Sequence, residues 1–531
     1  MKTWQDVASL YQIYPRSFRD TNGDGIGDLN GITEKLDYLA WLGVDAIWIS
    51  PFFTSPLTDF GYDIADYRAI DPTFGGLDDF RALLERVHIL DIKVMIDLVP
   101  CHTSDQHPWF QEARSSRDNP KRDYYVWRNG RDGNEPNNWR SLSGGSSWEL
   151  DEQTGQFYLH SFLKTQPDLN WDNPAVRDEM KNVVRFWFDM GVDGMRVDAI
   201  WGISKDPEFG DDSPNPDFNG DPEAYGAFIH DHCKMGPHFQ EYLRELASVC
   251  DEYDDKQMVF EFYPDEKLGD IYQQYRRVLT AHPKASAFFM EYRQDEWHAE
   301  HTGQKIEKYL QAAGSAKPFF CVGNHDQPRI ASRLGTERAR ALHFLNLLTP
   351  GVSVMYYGDE IGMTNGELTA EDIQDNFSPA NSTIDSRDLE RTPMQWDDTR
   401  FAGFSEVKPW LPVNKNRAFI NVSSEKSSPA SMLNLHRALL RLRQEFPIIK
   451  NGTLNIVSSD DTGNGFILGI KRELGRECAY IFINFADAPQ SFSIPENGRI
   501  LASTHPQYLL LGKDRQMTIP GYCGVILIVG N

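Results

Sequence analysis

The chain has few cysteines, a deficit of positive charge and no long apolar run, and each absence removes a class of protein. Its six cysteines (Cys101, Cys233, Cys250, Cys321, Cys478, Cys523) lack any C-x-x-C spacing. That argues against zinc and against a disulfide framework, and leaves reduced thiols. With 53 Lys and Arg against 78 Asp and Glu, the net charge is −25. So acidic a chain repels phosphate backbones and anionic lipid, which excludes nucleic acid and membrane surfaces as expected partners and favours a neutral or cationic small molecule. No segment approaches the roughly 18 apolar residues of a membrane span, and the amino terminus carries no secretory apolar run, so a cytoplasmic location is expected. There is no internal repeat. What is abundant is aromatic surface: 13 Trp and 21 Tyr among 531 residues.

Eight β-rich runs, "LYQIYP", "DAIWIS", "IKVMIDLV", "DGMRVD", "QMVFEF", "SAFFME", "FFCVGNHD" and "VSVMYYGDE", alternate with stretches whose apolar residues recur at helical spacing, such as "AVRDEMKNVVRFWFDMG". That alternation predicts an α/β fold, a (β/α)8 barrel with parallel strands, over 1–102 and 172–452. Two interruptions break it: residues 103–171, rich in Trp, Gly, Asn and Ser, read as an inserted subdomain after strand 3 without a convincing crossover helix, and 364–415 as a second insertion after strand 8. From 453 to 531 the pattern becomes strand alternation without helices, which predicts a separate C-terminal antiparallel β-sandwich domain.

Barrels of this type keep their chemistry at the carboxyl ends of the strands. There the third run ends in Asp97, followed by His102; the fourth carries Arg196 and Asp198, the fifth Glu261, the seventh His325 and Asp326. Acids converging on one mouth, with aromatic walls and no phosphate-binding glycine loop, suit glycosidic bond chemistry, in which one carboxyl protonates the leaving oxygen while another attacks the anomeric carbon or activates water. A two-metal hydrolase would show more histidine ligands. A further acidic stretch, "DTNGDGIGDLNG" (20–31), matches a calcium loop at Asp20, Asn22, Asp24, the Ile26 carbonyl and Asp28, with Gly25 at the turn, but has Gly31 where a closing Glu belongs. It is either a cation site or a metal-free acidic turn.

The motifs "YQIYPRSFRDTNGDGIGDLNGI", "SPFFTSPLTDFGYDIADY", "QPDLNW", "GMRVDAI", "GNHDQPRIASRLG" and "RTPMQWDD", in this order over nearly the whole chain, resemble those of glycoside hydrolase family 13, the α-amylase family, in the branch of oligosaccharide α-glucosidases and oligo-1,6-glucosidases. The resemblance implies a retaining, exo-acting α-glucosidase: Asp198 as nucleophile, oriented by Arg196; Glu261 as general acid/base; Asp326 as transition-state stabiliser; Asp97 as support. It also implies sugar contacts from Asp59, Tyr62, His102 and His325, from Phe162 and Gln166 of the inserted subdomain, and from Arg387 or Arg391 of the second insertion, with Met394 and Trp396 in the core. For the 20–31 loop it implies a structural calcium held by Asp20, Asn22, Asp24, Ile26 and Asp28, distant from the chemistry, with no organic cofactor. Its implied partner is a short oligosaccharide, and its implied assembly a monomer or homodimer.

Against the branch pattern, Cys101 stands where an Asn is common, Ser143 where a Phe often flanks the sugar, and "VFEFYP" around the acid is bulky, so that Phe260 and Phe262 are expected to shape the entrance. In the branch it resembles, Ala199 after the nucleophile goes with α-1,4 cleavage, which implies maltose-like glucosides together with transglucosylation to acceptor sugars; an oligo-1,6-glucosidase or a sucrose-active hydrolase is the alternative. Sucrose isomerisation is disfavoured because its charged loop is not evident after "NHDQPR". An inactive sugar-binding relative is disfavoured because all three acids are present.

Overall fold

The computed structural model describes residues 2–293, 297–377, 386–458, 462–496, 498–506, 510–511 and 515–529. Eight parallel strands close a barrel: β1 (Ser9–Ile13), β2 (Ala46–Ile49), β3 (Lys93–Leu98), β4 (Gly194–Val197), β5 (Gln257–Phe260), β6 (Ala285–Phe289), β7 (Phe319–Cys321) and β8 (Val352–Tyr356). β1 pairs with both β2 and β8, Leu10 lying opposite Ala46 and Val354, which closes the ring as the eight β-rich runs predict. The crossover helices have legible ends. The longest, Pro174–Met190, starts with an Asn173 cap on the Ala175 amide and Pro174 at its first position, and ends on Gly191 at φ 116°. Its buried stripe of Val176, Met180, Val183, Val184, Trp187 and Phe188 follows the 3.6-residue period.

Inside the barrel Leu10, Trp48, Met95, Val259, Phe288, Cys321 and Val354 pack into one buried cluster. Because side chains alternate along a strand, residues two steps further share that inward direction. Asp97 lies two beyond Met95, and Glu261 two beyond Val259. Arg196 is the register partner of both Asp97 and Val259, and Asp198 lies two beyond it. Strand geometry alone therefore delivers all four to one mouth.

The loops above that mouth are long. After β2, a hairpin (Phe53–Thr54 with Asp66–Ile70) carries Asp59 and Tyr62 at its tip. After β3, the inserted segment holds a three-stranded antiparallel sheet and one eight-residue helix, Pro108–Ser115, where the sequence shows no convincing helix. After β4, residues 199–238 form a third long excursion that the strand-and-helix rhythm does not reveal. It packs on the inserted sheet through Trp139 Nε1 to the Gly210 carbonyl (2.9 Å) and the Trp139–Phe209 ring pair. The C-terminal region forms a five-stranded and a three-stranded antiparallel sheet around Tyr480, Phe482, Phe492, Met517 and Val525. All six cysteines are free.

Candidate active site

At the mouth, Arg196 is wholly buried and gathers the acids. Its Nη1 donates to Asp198 Oδ1 and to Asp97 Oδ1, each at 2.5 Å, and its Nη2 pairs with Glu261 Oε1. Asp97 is held from its other side by Trp48 Nε1 at 2.6 Å. Backbone bonds from Asp198 N to the Leu98 carbonyl and from Glu261 N to the Val197 carbonyl, both 2.8 Å, extend the ladders one residue past the strands and fix both acids. Immediately after Asp198 the chain turns through Ala199 at φ 45°, ψ 40°, a left-handed conformation that costs a residue with a Cβ about a kcal/mol. The turn aims the Ala199 amide at Glu261 Oε2, 3.3 Å away.

Asp198 and Glu261 are held side by side by the two terminal nitrogens of Arg196. Burial is the main reason the Asp198 carboxyl is pushed well above the usual carboxylate range; Glu261 and Asp97 add to it and Arg196 opposes it. Burial also lifts Asp97 to about 6, against the pull of Arg196. Asp326 goes the other way: burial opposes ionisation, but Arg391 and Arg387 together hold it well below the ordinary range. Arg391 Nη2 donates to Asp326 Oδ1 at 2.8 Å and Arg387 Nη1 at 3.3 Å.

These groups open into a cavity of about 400 Å³ lined by Asp59, Tyr62, His102, Phe162, Asp198, Glu261, Asp326 and Arg387. Arg387 ties Asp59 (2.8 Å) to Asp326 and to Asp375. The remaining residues singled out in the sequence stand behind this lining. Gln166, fully buried, donates to Asp59 Oδ2 at 2.9 Å and lies 3.2 Å from His102 Nε2. Arg391 is 1% exposed and braces Asp326 and the His325 carbonyl. His325, with its ring stacked on Tyr62 at 5.4 Å, is also buried. Burial keeps both His102 and His325 below the usual imidazole range and so neutral.

Phe260 and Phe262 do not shape the entrance. Both are 0% exposed, and Phe262 packs outward against Phe239 and Tyr275. Tyr263 lines the cavity in their place. Ser143 is exposed, and its neighbour Leu142 supplies the wall. Trp201, Tyr225 and Lys234 of the excursion after β4, and Phe377, also line the cavity and were not legible in advance. The only available signal was the placement of aromatics and a lysine in a Gly/Pro/Asp-rich stretch directly after Asp198.

A closed parallel barrel with buried acids bridged by one arginine beneath an aromatic-walled cavity defines an enzyme of carbohydrate chemistry rather than a binding scaffold. Residues 12–452 match the α-amylase catalytic domain, and the chain belongs to that family of glycoside hydrolases. It is 40% identical to an oligo-1,6-glucosidase of Parageobacillus thermoglucosidasius, with 93% of each chain covered. It is 39% identical to a protein named probable alpha-glucosidase of Rhizobium meliloti strain 1021, covering 93% of this chain and 91% of that one. Among solved structures it superposes on an alpha-glucosyl transfer enzyme, XgtA, with a TM-score of 0.91 and 35% identity over the whole of both chains.

Proposed function

We propose that this protein is an exo-acting α-glucosidase that releases glucose from short α-glucosides by double displacement with retention. The observation that carries the reading is Arg196 holding Asp198 and Glu261 at the floor of one cavity. The anomeric carbon enters between the two carboxyls. Glu261 delivers a proton to the leaving oxygen, while Asp198, ionised against Arg196, attacks the anomeric carbon. The leaving sugar departs, Glu261 then removes a proton from water, and that water hydrolyses the glucosyl–Asp198 ester. Asp326, fixed ionised by two arginines, grips hydroxyls of the distorted ring. Asp59, Gln166, His102 and Arg387 are hydrogen-bonded together at one end of the cavity, which supports removal of single terminal residues.

On linkage, the relatives' names favour α-1,6 bonds, which is the better-supported reading. Ala199 favours α-1,4. Release of glucose from isomaltose, maltose, sucrose and trehalose tests both: isomaltose as the preferred substrate supports the first, and a marked preference for maltose rejects it. Proton NMR of the first sugar released must show the α anomer, and a β anomer rejects double displacement. Disaccharide products at high sugar concentration would add transfer to the activity, held by the aromatic wall of Trp201, Tyr225 and Tyr263.

We propose as well that the loop 20–31 holds a structural calcium through Asp20, Asn22, Asp24, the Ile26 carbonyl and Asp28. The residues fit such an ion. Asp20 and Asp28 are 3% and 4% exposed, and no Lys or Arg pairs with them among the described residues. Asp20 Oδ1 accepts the Gly23 amide and Asp28 Oδ2 the Thr21 amide, one bond each, which leaves each of these two oxygens a lone pair. Gly25, at φ 89°, sits where a Cβ would meet the Lys408 carbonyl at 2.4 Å.

A further inference from the structure

The excursion after β4 contains a second cluster that the sugar chemistry does not use. Asp212, His230 and Cys233 are 1%, 3% and 8% exposed, and their ligand-capable atoms all lie within 4.8 Å of one another. The backbone pairing of Pro214 with Phe228 and of Ile229 N with the Ser213 carbonyl brings the ends of the 213–229 loop together, setting Asp212 beside His230.

The orientation of each group is already determined by its far side. His230 Nε2 lies 2.9 Å from the Tyr225 carbonyl, an acceptor only, so that nitrogen carries the hydrogen and Nδ1 of the neutral ring presents its lone pair to the cluster. Asp212 Oδ1 accepts the amides of His232 (2.8 Å) and Cys233 (3.2 Å), which turns Oδ2 inward. That Oδ2 is buried and receives no hydrogen bond. It faces the Nδ1 lone pair at 3.4 Å, two acceptors that a cation between them satisfies together, where the protein alone offers only the Cys233 thiol proton to Nδ1. Cys233 Sγ completes the set 3.5 Å from Nδ1.

These two separations match a tetrahedral zinc-class ion. A tetrahedral zinc with Zn–S of about 2.3 Å and Zn–N and Zn–O of about 2.0 Å sets sulfur and nitrogen ligands about 3.5 Å apart and nitrogen and oxygen ligands about 3.3 Å apart. One divalent ion also neutralises the charges of a carboxylate and a thiolate in a buried place. The Nε2 bond to a carbonyl and the amide bonds to Oδ1 are the outer contacts that ordinarily orient metal ligands.

We propose that Asp212, His230 and Cys233 bind one zinc-class divalent cation, with a water at the fourth corner, and that this ion fixes the wall of the sugar cavity on the side of Tyr225 and Lys234. Tyr225 stacks on His230 with ring centroids 3.8 Å apart, and the Lys234 ammonium lies 5.1 Å from the same tyrosine ring. The absence of a C-x-x-C pair argues only against zinc sites built from paired cysteines. A site of mixed ligands, with Asp212 eighteen residues before His230, carries no such mark.

The test is titration of the full-length protein, stripped with chelator and shown to be folded by circular dichroism, with Co²⁺. A thiolate-to-cobalt charge-transfer band saturating at one ion per chain, bleached by Zn²⁺, is expected. Cys233→Ser should abolish the band, and Asp212→Asn should weaken binding at least tenfold. The calcium loop has no thiol and cannot produce it. A folded wild-type protein without the band, or a band undiminished in Cys233→Ser, overturns the site and leaves the Cys233 thiol as the hydrogen-bond partner of His230 Nδ1. Neither result bears on the glucosidase reading.

Discussion

Arg196 donates from a single nitrogen to Asp198, 2.5 Å away, and its second nitrogen reaches Glu261, so one guanidinium spans the two carboxyls that flank the reacting bond. A lysine cannot span them, because its ammonium is a point donor rather than a planar fork. Arg196→Lys should lower kcat/KM by about 10²- to 10³-fold, the cost of one preorganised electrostatic partner, with the thermal unfolding midpoint falling as Asp97 loses its partner. Steady-state kinetics together with calorimetry checks it; a variant within threefold of wild type would remove Arg196 from the mechanism.

Asp198→Asn and Glu261→Gln should fail differently. Without its nucleophile the enzyme should lose hydrolysis of every substrate. Without its acid it should lose disaccharide cleavage by about 10²- to 10⁴-fold yet retain the first step on an aryl glucoside whose phenolate needs no proton, and azide, attacking the β-linked glucosyl–Asp198 ester, should restore turnover as an α-glucosyl azide. Equal loss on both substrate types for Glu261→Gln contradicts the role proposed for it.

Because Asp198 is pushed up by burial while Asp326 is held down, the acid limb of the rate should follow Asp198 and not Asp326. Activity should fall at low pH as Asp198 gains the proton that stops it attacking. Raising the salt concentration should leave the profile in place, since the groups are buried. A profile that tracks exposed carboxylates, shifting with ionic strength, argues against Asp198 as the titrating group.

Glu390 gives a stability prediction away from the cavity. It is 2% exposed, and burial, opposed by Arg391, pushes its carboxyl up to about 8. A carboxyl with a raised folded-state pKa favours the native state while protonated, so its contribution is lost as pH rises from about 4.5 through 8. Glu390→Gln should flatten that decline in calorimetric scans between pH 5 and 8.5. An unchanged slope places the pH dependence elsewhere.

For the 20–31 loop, calcium at 100 times its dissociation constant should stabilise the native state by about 2.7 kcal/mol, seen as a higher unfolding temperature that chelator removes and Asp24→Ala abolishes. Initial rates at 25 °C should be the same with and without the ion. A rate that vanishes with chelator at temperatures where the protein stays folded would make the ion catalytic.

The barrel and its acids were legible because each depends on short-range pattern. A strand's period of two puts Asp97 two beyond Met95 and Glu261 two beyond Val259, and caps such as Asn173 and Gly191 mark a helix in a few residues. The resemblance of motifs then assigned roles that spacing alone left open. Gln166 and Arg391 stand behind the cavity lining, and sequence distinguishes a polar residue from an apolar one but not a lining position from the position behind it. Phe260 and Phe262 were misread for the same reason, and Tyr263 takes the place assigned to them.

The sequence by itself therefore determined the eight strands, the acids at their ends and the family. Only the tertiary structure decided which side chains meet in the cavity, that Trp201, Tyr225 and Lys234 form part of its wall, and that Asp212 approaches His230 and Cys233. The reason is physical. Strands and helices are dictated by repeating local contacts, whereas the path of residues 199–238 is set by packing on a subdomain inserted some sixty residues earlier, and no local rule carries information across that gap.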